Sequence, residues 1–563
     1  MPSGTKLNSN GVDCPKDLSC NTLVVTGSRS LVLERLVQIP LKKSLAGKPM
    51  RRQYHFRSWI ALGILALFGA CSICRATTFY VDAATGDDSR SGTSLELAWS
   101  SLKNIKEHKF QPGDQILLRA GQTWTGSIEP RGSGTPESPI LLASYGQGTK
   151  PLIKGDGAPA TIRLSEVSYW TIRDISVINH GAKVDVRNGI MVHVAFAGIV
   201  AGIRLENVDV SDVNGEVRSK SSGGIGFLAW RKKGNAARFD GILIDHCTVK
   251  HVDGQGIWFH TKGNLDSNAE TDAQGESEFP NTNVRITGNT IMDAGRNAIF
   301  LRSALEAVID HNVIRFAAAR THGNAVVVVG SKGTVIRENE VANTGENTGE
   351  GENGAFDADI GAIGTVIEYN WSHDNAGGMT NIVNDPTHGT QNRDTVVRYN
   401  LSENDKARVF GIGGSVSNTL IYNNTVFIGR GRSPDIIQAG RFVAHKPGTP
   451  DGIGFVNNVI YSEGGGDYVL DASDVAFDSN CLFGKRSVRD LRDRHKETGD
   501  PGFDRGAIPI KSWTELAHYR VSPTSGCANP GFRLPNNGGR DILGSVLVSE
   551  KALDRGAVAS GAK

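Results

Sequence analysis

The pentapeptide Phe356-Asp357-Ala358-Asp359-Ile360 sets two carboxylates two residues apart in a stretch whose neighbours are apolar or neutral. Side chains alternate along an extended strand, so Phe356, Ala358 and Ile360 should point one way and Asp357 and Asp359 the other. Their carboxyl groups would then lie about 6.5–7 Å apart. Separations of about 5–9 Å suit hydrolysis of a glycosidic bond, with one group protonated and the other ionised. Mutual repulsion raises one pKa toward what a general acid requires. Asp374, beside His373 in the turn that follows, is the third candidate. A structural Ca2+ site and a solvated surface pair are the alternatives for these aspartates.

Neighbouring segments align with this one: Gly256 to His260, Ala298 to Arg302, Ala325 to Val329, Met379 to Ile382 and Arg408 to Phe410. The same alternation turns Trp258, His260, Phe300 and Arg302 outward, onto the face that carries Asp357 and Asp359. Aromatic rings that stack on sugars, cations and paired carboxylates are what a carbohydrate groove needs. For Trp258 and Phe300 the alternative is burial beneath the polar stretch Lys262–Asn283. His388, in NDPTHGT, and His373 are candidates for substrate contact and catalysis, or are ordinary turn hydrogen-bonders. Lys406 and Arg408, in NDKARVF, are cations beside the same strand, or partners for Asp405 and Glu403. Glycine runs such as Gly411–Gly414 lack the strand and helix context of a phosphate loop, and no nucleophile elbow is present.

These segments belong to a repeat. VIEYNWSHDN and VVRYNLSEND put Asn370 and Asn400 thirty residues apart, and equivalent residues stand at Asp174, Asn207, Cys247, Asn289, Asn312, Asn339, Asn424, Asn458 and Asn480. Intervals of 22 to 42 residues fit a three-strand coil with loop insertions. Stacked Asn side chains can hydrogen-bond from coil to coil, so the sequons beginning at Asn370, Asn400 and Asn423 read as ladder and turn positions rather than glycosylation acceptors. The insertions Lys262–Asn283, Thr344–Asn353, Asn384–Arg393 and Ala439–Asp451 are polar and would wall one groove.

The 563 residues include 68 glycines, and 61 basic residues balance 59 acidic ones. The first figure favours short strands and turns, and the second argues against a nucleic-acid partner. Residues 50–76 have the basic start, short apolar core and small-residue end of a signal peptide. Residues 1–49 lack repeat character and read as a doubtful extension, which makes Met50 the expected start. The expected location is therefore secreted, with no further membrane association. Three cysteines follow Ala76: Cys481 and Cys527 could pair in an oxidising compartment, and Cys247 reads as a small buried hydrophobe.

The lead-in, YVD followed by GTS, AWSSL, PGDQILL, GSGT and YGQGTKPLI, resembles the N-terminal cap of secreted bacterial parallel β-helix proteins of the pectate-lyase-like superfamily. The resemblance implies an all-β fold, a right-handed parallel β-helix built as a single-stranded solenoid with N- and C-terminal caps. On that reading residues 77–157 form the first cap, 158–483 the repeats and 484–563 the C-terminal cap. It also implies a polysaccharide substrate and a monomer. Two chemistries stay open: hydrolysis by Asp357, Asp359 and Asp374, or β-elimination from a uronate. In the second, Lys406 or Arg408 is the base and the three aspartates hold Ca2+, the one cofactor considered. A carbohydrate-binding adhesin without catalysis is the third reading.

Overall fold

The computed structural model describes residues 76–231, 236–263, 279–346, 352–440, 448–485, 491–548 and 554–560. The proposed leader at 50–75 and the extension at 1–49 lie outside them.

Three parallel sheets of 17, 13 and 11 strands run the length of the chain among the described residues, and they form a parallel β-helix. Each coil contributes one strand to each sheet in turn. Val366–Glu368, Trp371–His373 and Thr380–Asn384 make one coil, and Val396–Arg398, Leu401–Glu403 and Arg408–Gly414 make the next. Val366 pairs with Val396 and Trp371 with Leu401, so the two sequence copies are consecutive coils. Inward side chains such as Ile309, Ile336, Ile367, Val397 and Ile421 stack into one core along the axis. No described helix is long and apolar enough to cross a membrane.

The corner between the first and second sheets is two residues long. Its first residue is left-handed, as at His311, Glu338, Tyr369 and Tyr399, and the second is the ladder Asn. From Asn312 to Asn480 each ladder Oδ1 accepts both the Nδ2–H and the backbone N–H of the preceding ladder Asn, at 2.9–3.0 Å. Asp493 ends the ladder by accepting from Asn480 at 2.8 Å. Asp174 and Asn207, expected on the ladder, occupy the left-handed position instead, and Ile175 and Val208 fill the buried one. Asp and Asn tolerate left-handed backbone, so composition could not separate the two positions. Cys247 begins the ladder, with its backbone N–H donating to Asn289. Its thiol is buried and is pushed up to about 12 by burial.

The lead-in reads as strands at Gln115–Arg119 and Ile140–Ser144; the observed Gln115–Arg119 and Ile140–Tyr145 already belong to the first sheet, so stacking begins within it. The lead-in sequence also reads as a short helix around Ser94–Ile105, but the helix is Lys103–Glu107, because the Asp88 carboxylate draws the backbone N–H groups of Ser100 and Ser101 into a turn. The sequence reads as helical over Lys485–Lys496 and again over Ser512–Tyr519; no helix forms at 491–496, and Trp513–Tyr519 is a 3-10 helix. The C-terminal segment does more than close the end. Ile510, Leu516 and Tyr519 pack with Trp371 and Phe427, outward residues of the second sheet, and with Tyr399 at the corner. Tyr422 and Tyr369 donate from their hydroxyls to the carbonyls of Asn536 and Gly538. Cys481 and Cys527 are disulfide-bonded and tie this segment to the last coil.

Candidate active site

Strands Ile299–Arg302, Val326–Val329, Phe356–Ala358, Thr380–Asn384 and Arg408–Gly414 are consecutive in the third sheet. Register aligns Trp258, Phe300, Val327, Asp357, Asn381 and Gly411 in one outward row. The row changes character at Asp357. On one side Met191, Trp258, Phe300 and Val327 form an apolar cluster separate from the main core. On the other side the row is polar and passes through Gly411, over which the Arg408 side chain lies.

Phe356 and Ala358 point into the core and Asp357 points out, as alternation requires. The strand stops at Ala358, however. Asp359 therefore lies beyond it, where its Oδ1 accepts the Ile360 N–H at 2.7 Å, and Ile360 is only partly buried rather than inward.

Asp357 is buried, and its Oδ2 accepts from Asn324 Nδ2 at 2.7 Å. Its Oδ1 is buried with no hydrogen-bond partner among the described residues. Burial above all, then the negative charges of Asp359 and Glu352, hold its carboxyl well above the usual range. The Asn324 donation and the Arg408 charge oppose this without reversing it. Arg408 is itself buried, which pulls its guanidinium down against the charges of Asp357, Glu352 and Asp435. Its Nε donates to Asn381 Oδ1 at 3.0 Å, and Asn381 Nδ2 donates to Asn324 Oδ1 at 3.2 Å. Gly378 is required beneath this group: its φ is +107°, and a Cβ there would collide with the Arg408 carbonyl. A carboxyl whose pKa burial raises, further carboxylates and a buried guanidinium therefore share one face.

The other expected residues are distributed differently. Trp258 and Phe300 are outward but covered, at 0% and 7% exposure, and His260 and Arg302 are equally buried. The Trp258 indole lies over Gly226 and donates to Asn188 Oδ1 at 3.2 Å. They are packing residues of the outer apolar cluster rather than open sugar platforms. His373 ends a strand of the second sheet and Asp374 follows it, so neither stands in the Asp357 row. His373 stacks on Trp371 with ring centres 4.3 Å apart and sits between Glu340 and Asp374, at 3.4 and 3.3 Å. Asp374 also binds Arg432 at 2.9 Å. Burial alone would lower the His373 pKa, but these two carboxylates raise it to about 9.

Lys406 is exposed and pairs with Glu346, not with Asp405 or Glu403. Asp405 is buried and accepts from Ser372 and Ser402. Glu403 faces the C-terminal segment, where it accepts the Ile510 N–H at 2.8 Å. His388 ends a short 3-10 helix, and its side chain lies outside the described residues. Asp357, Asp359 and Asp374 do not converge as metal ligands. Among the described residues the carboxylate and imidazole atoms that do converge belong to Asp310, His311 and Glu338, where Arg285 and Arg337 already sit against Asp310.

Asn324, Asn381 and Glu352 were not found from sequence. A signal existed for Asn324: Asn297-Ala298 and Asn324-Ala325 repeat immediately before third-sheet strands, and Asn353-Gly354-Ala355 echoes them before the Asp357 strand.

No family model matches the chain. It is 28% identical over 450 residues to a lacto-N-biosidase of Bifidobacterium longum subsp. longum, an alignment that covers 64% of this chain and 28% of that protein. The chain thus spans less than a third of the length of this curated relative. Among solved structures, the native GH136 lacto-N-biosidase of Eubacterium ramulus superposes with a TM-score of 0.57 at 22% identity, covering 71% of this chain and 68% of that one. Its selenomethionine derivative gives the same TM-score at 23% identity. At these identities the likeness establishes the fold: the chain is a parallel β-helix.

Proposed function

We propose that this chain is a glycoside hydrolase acting on a glycan laid along the third sheet, with Asp357 as the general acid. The observation that carries this reading is the buried, unpartnered Oδ1 of Asp357, on a carboxyl kept protonated by burial and by the charges of Asp359 and Glu352. A protonated carboxyl beside ionised ones is the division of labour that glycosidic hydrolysis uses. Asp357 delivers its proton to the leaving oxygen, and Asp359 is the ionised partner. Arg408 stabilises charge beside them. Similarity to lacto-N-biosidases, one of them over 450 residues, supports a lacto-N-bioside-type substrate.

β-Elimination is the weaker reading. Its Ca2+ ligand set would need Asp374, which is held on the second sheet by His373 and Arg432. Of its two bases, Lys406 is engaged by Glu346 and the Arg408 Nε by Asn381. Export into an oxidising compartment is part of the proposal, supported by the Cys481–Cys527 disulfide.

The test is to incubate the chain and an Asp357→Asn variant with lacto-N-bioside-capped oligosaccharides and with uronate polymers, with and without EDTA. Reducing ends released from the neutral glycans, insensitive to EDTA and lost in Asp357→Asn, are expected. Ultraviolet-absorbing unsaturated products that disappear with EDTA would establish elimination instead. Binding without product would leave a carbohydrate-binding protein.

A further inference from the structure

Resting on Asp357 as the acid, we infer that Asn324, held in place by Asn381 and Arg408, is the positioning residue that decides which oxygen of Asp357 carries the proton. Amide side chains can be turned either way about their terminal bond, so their direction must come from partners whose role is unambiguous. Two such partners are present. The backbone N–H of Gly354 can only donate, and it donates to Asn324 Oδ1 at 2.7 Å. The Nε–H of Arg408 can only donate, and it donates to Asn381 Oδ1 at 3.0 Å.

These two donors fix both amides. Asn381 must present its Nδ2 to Asn324 Oδ1, at 3.2 Å. Asn324 must present its own Nδ2 to Asp357 Oδ2, at 2.7 Å. Hydrogen bonds therefore run in one direction, from Arg408 through Asn381 and Asn324 to Asp357. The side chains of all four are buried, and Asn324 and Asn381 are 1% and 4% exposed. The backbone N–H of Asn324 is itself tied to Asn297 Oδ1 at 2.8 Å, so the base of the relay does not drift.

In a neutral carboxyl the carbonyl oxygen is the stronger acceptor, so the 2.7 Å bond from Asn324 makes Oδ2 the carbonyl oxygen. The acid proton is accordingly placed on Oδ1, the oxygen without a partner. From there it can be passed to a glycosidic oxygen, with the O–H bond of Asp357 breaking as the new O–H bond forms and the carboxylate charge left on Asp357. Asn324 then stabilises that charge through the bond it already makes. The relay thus opposes burial: burial keeps the proton on before the reaction, and the Asn324 donation steadies the ion that follows.

The test follows Asp357 directly and does not depend on turnover. The carbonyl stretch of the protonated carboxyl is recorded by difference infrared spectroscopy across a pH series, assigned by its loss in Asp357→Asn, and compared with Asn324→Leu. Removing the donor should raise the titration midpoint of Asp357 by about 1–2 pH units and shift its carbonyl band to the frequency of a carboxyl free of N–H donation. A midpoint that moves by less than about 0.3 units, within the scatter of context-dependent single bonds, overturns the inference. Should Asn324→Leu not fold, Asn381→Leu leaves the Gly354 anchor intact and is expected to move the midpoint upward by a smaller amount; no movement there overturns it equally. Hydrolysis of a lacto-N-bioside-capped oligosaccharide, whose leaving group needs protonation, by the same proteins reads the other question. If Asp357→Asn retains full turnover, the assignment of Asp357 as the general acid fails, while the infrared midpoints still decide the role of Asn324.

Discussion

The Arg408 side chain lies on Gly411: a methyl group added to Gly411 would stand 2.8 Å from both the Cδ and the Nε of Arg408. Gly411 is the residue that follows Asn381 in the outward row of the third sheet. The row gives up a side chain at that point, and a guanidinium from the same strand folds back to fill the space beside Asp357.

Gly411→Ala should therefore displace Arg408 from Asn381, because the same methyl would also meet Asn381 Oδ1 at 2.8 Å. The crowding is expected to cost about 1–3 kcal/mol of stability. Misplacing the charged group should lower kcat/KM by about 10²-fold. Thermal unfolding and glycosidase assays on one preparation check both, and unchanged kinetics would separate Arg408 from the chemistry.

The Asn370 side chain holds four ladder bonds: it accepts from the backbone and side chain of Asn339 and donates to Asn400 and to the Ile336 carbonyl. Asn370→Ala leaves buried donors and acceptors on both adjacent coils unpaired. A loss of about 2–4 kcal/mol is expected in urea unfolding. It should be felt in the coils that carry the site, since a solenoid transmits stability through nearest neighbours. Amide exchange across Glu340–Glu403 locates the effect.

His373 is held charged by Glu340 and Asp374, with Asp405 adding to their field, while Arg432 and Arg315 face the same carboxylates. Its folded pKa, about 9, lies above the ordinary value of 6.5. The stabilisation it provides is therefore fully present below about pH 6.5 and is lost as pH rises through about 9. Wild type should exceed His373→Gln by at most about 3 kcal/mol at pH 6, with the gap closing by pH 10. A gap that widens with pH would reverse the assignment.

The Cys481–Cys527 bond spans 46 residues and anchors the C-terminal segment. Replacing both cysteines with serine should destabilise the protein by about 4 kcal/mol on the loop-entropy estimate. The segment that packs on Tyr369, Tyr399 and Tyr422 should become protease-sensitive before the solenoid does, which limited proteolysis under reducing and non-reducing conditions reads directly.

Much of this architecture is a local property of the chain. The Asn ladder from Asn289 to Asn480, the alternation that turns Phe356 inward and Asp357 outward, and the burial of Cys247 all follow from short patterns repeated at each coil. Period-two alternation and a residue type that must pair with its own copy in the next coil need no knowledge of distant contacts. Tertiary structure decided what surrounds Asp357. Its hydrogen-bond partner Asn324 lies 33 residues away, and the Asn381–Arg408 bond crosses 27. Insertions of unequal length separate these coils, so only the hydrogen-bonded register of the stacked strands brings them opposite one another. Alternation likewise shows that Trp258 and Phe300 leave the core, but whether an outward ring is open or covered depends on non-local packing, here against Met191 and Val327. Asp374 followed the same division: its turn and its neighbour His373 could be read locally, while its capture by Arg432, 58 residues away, could not.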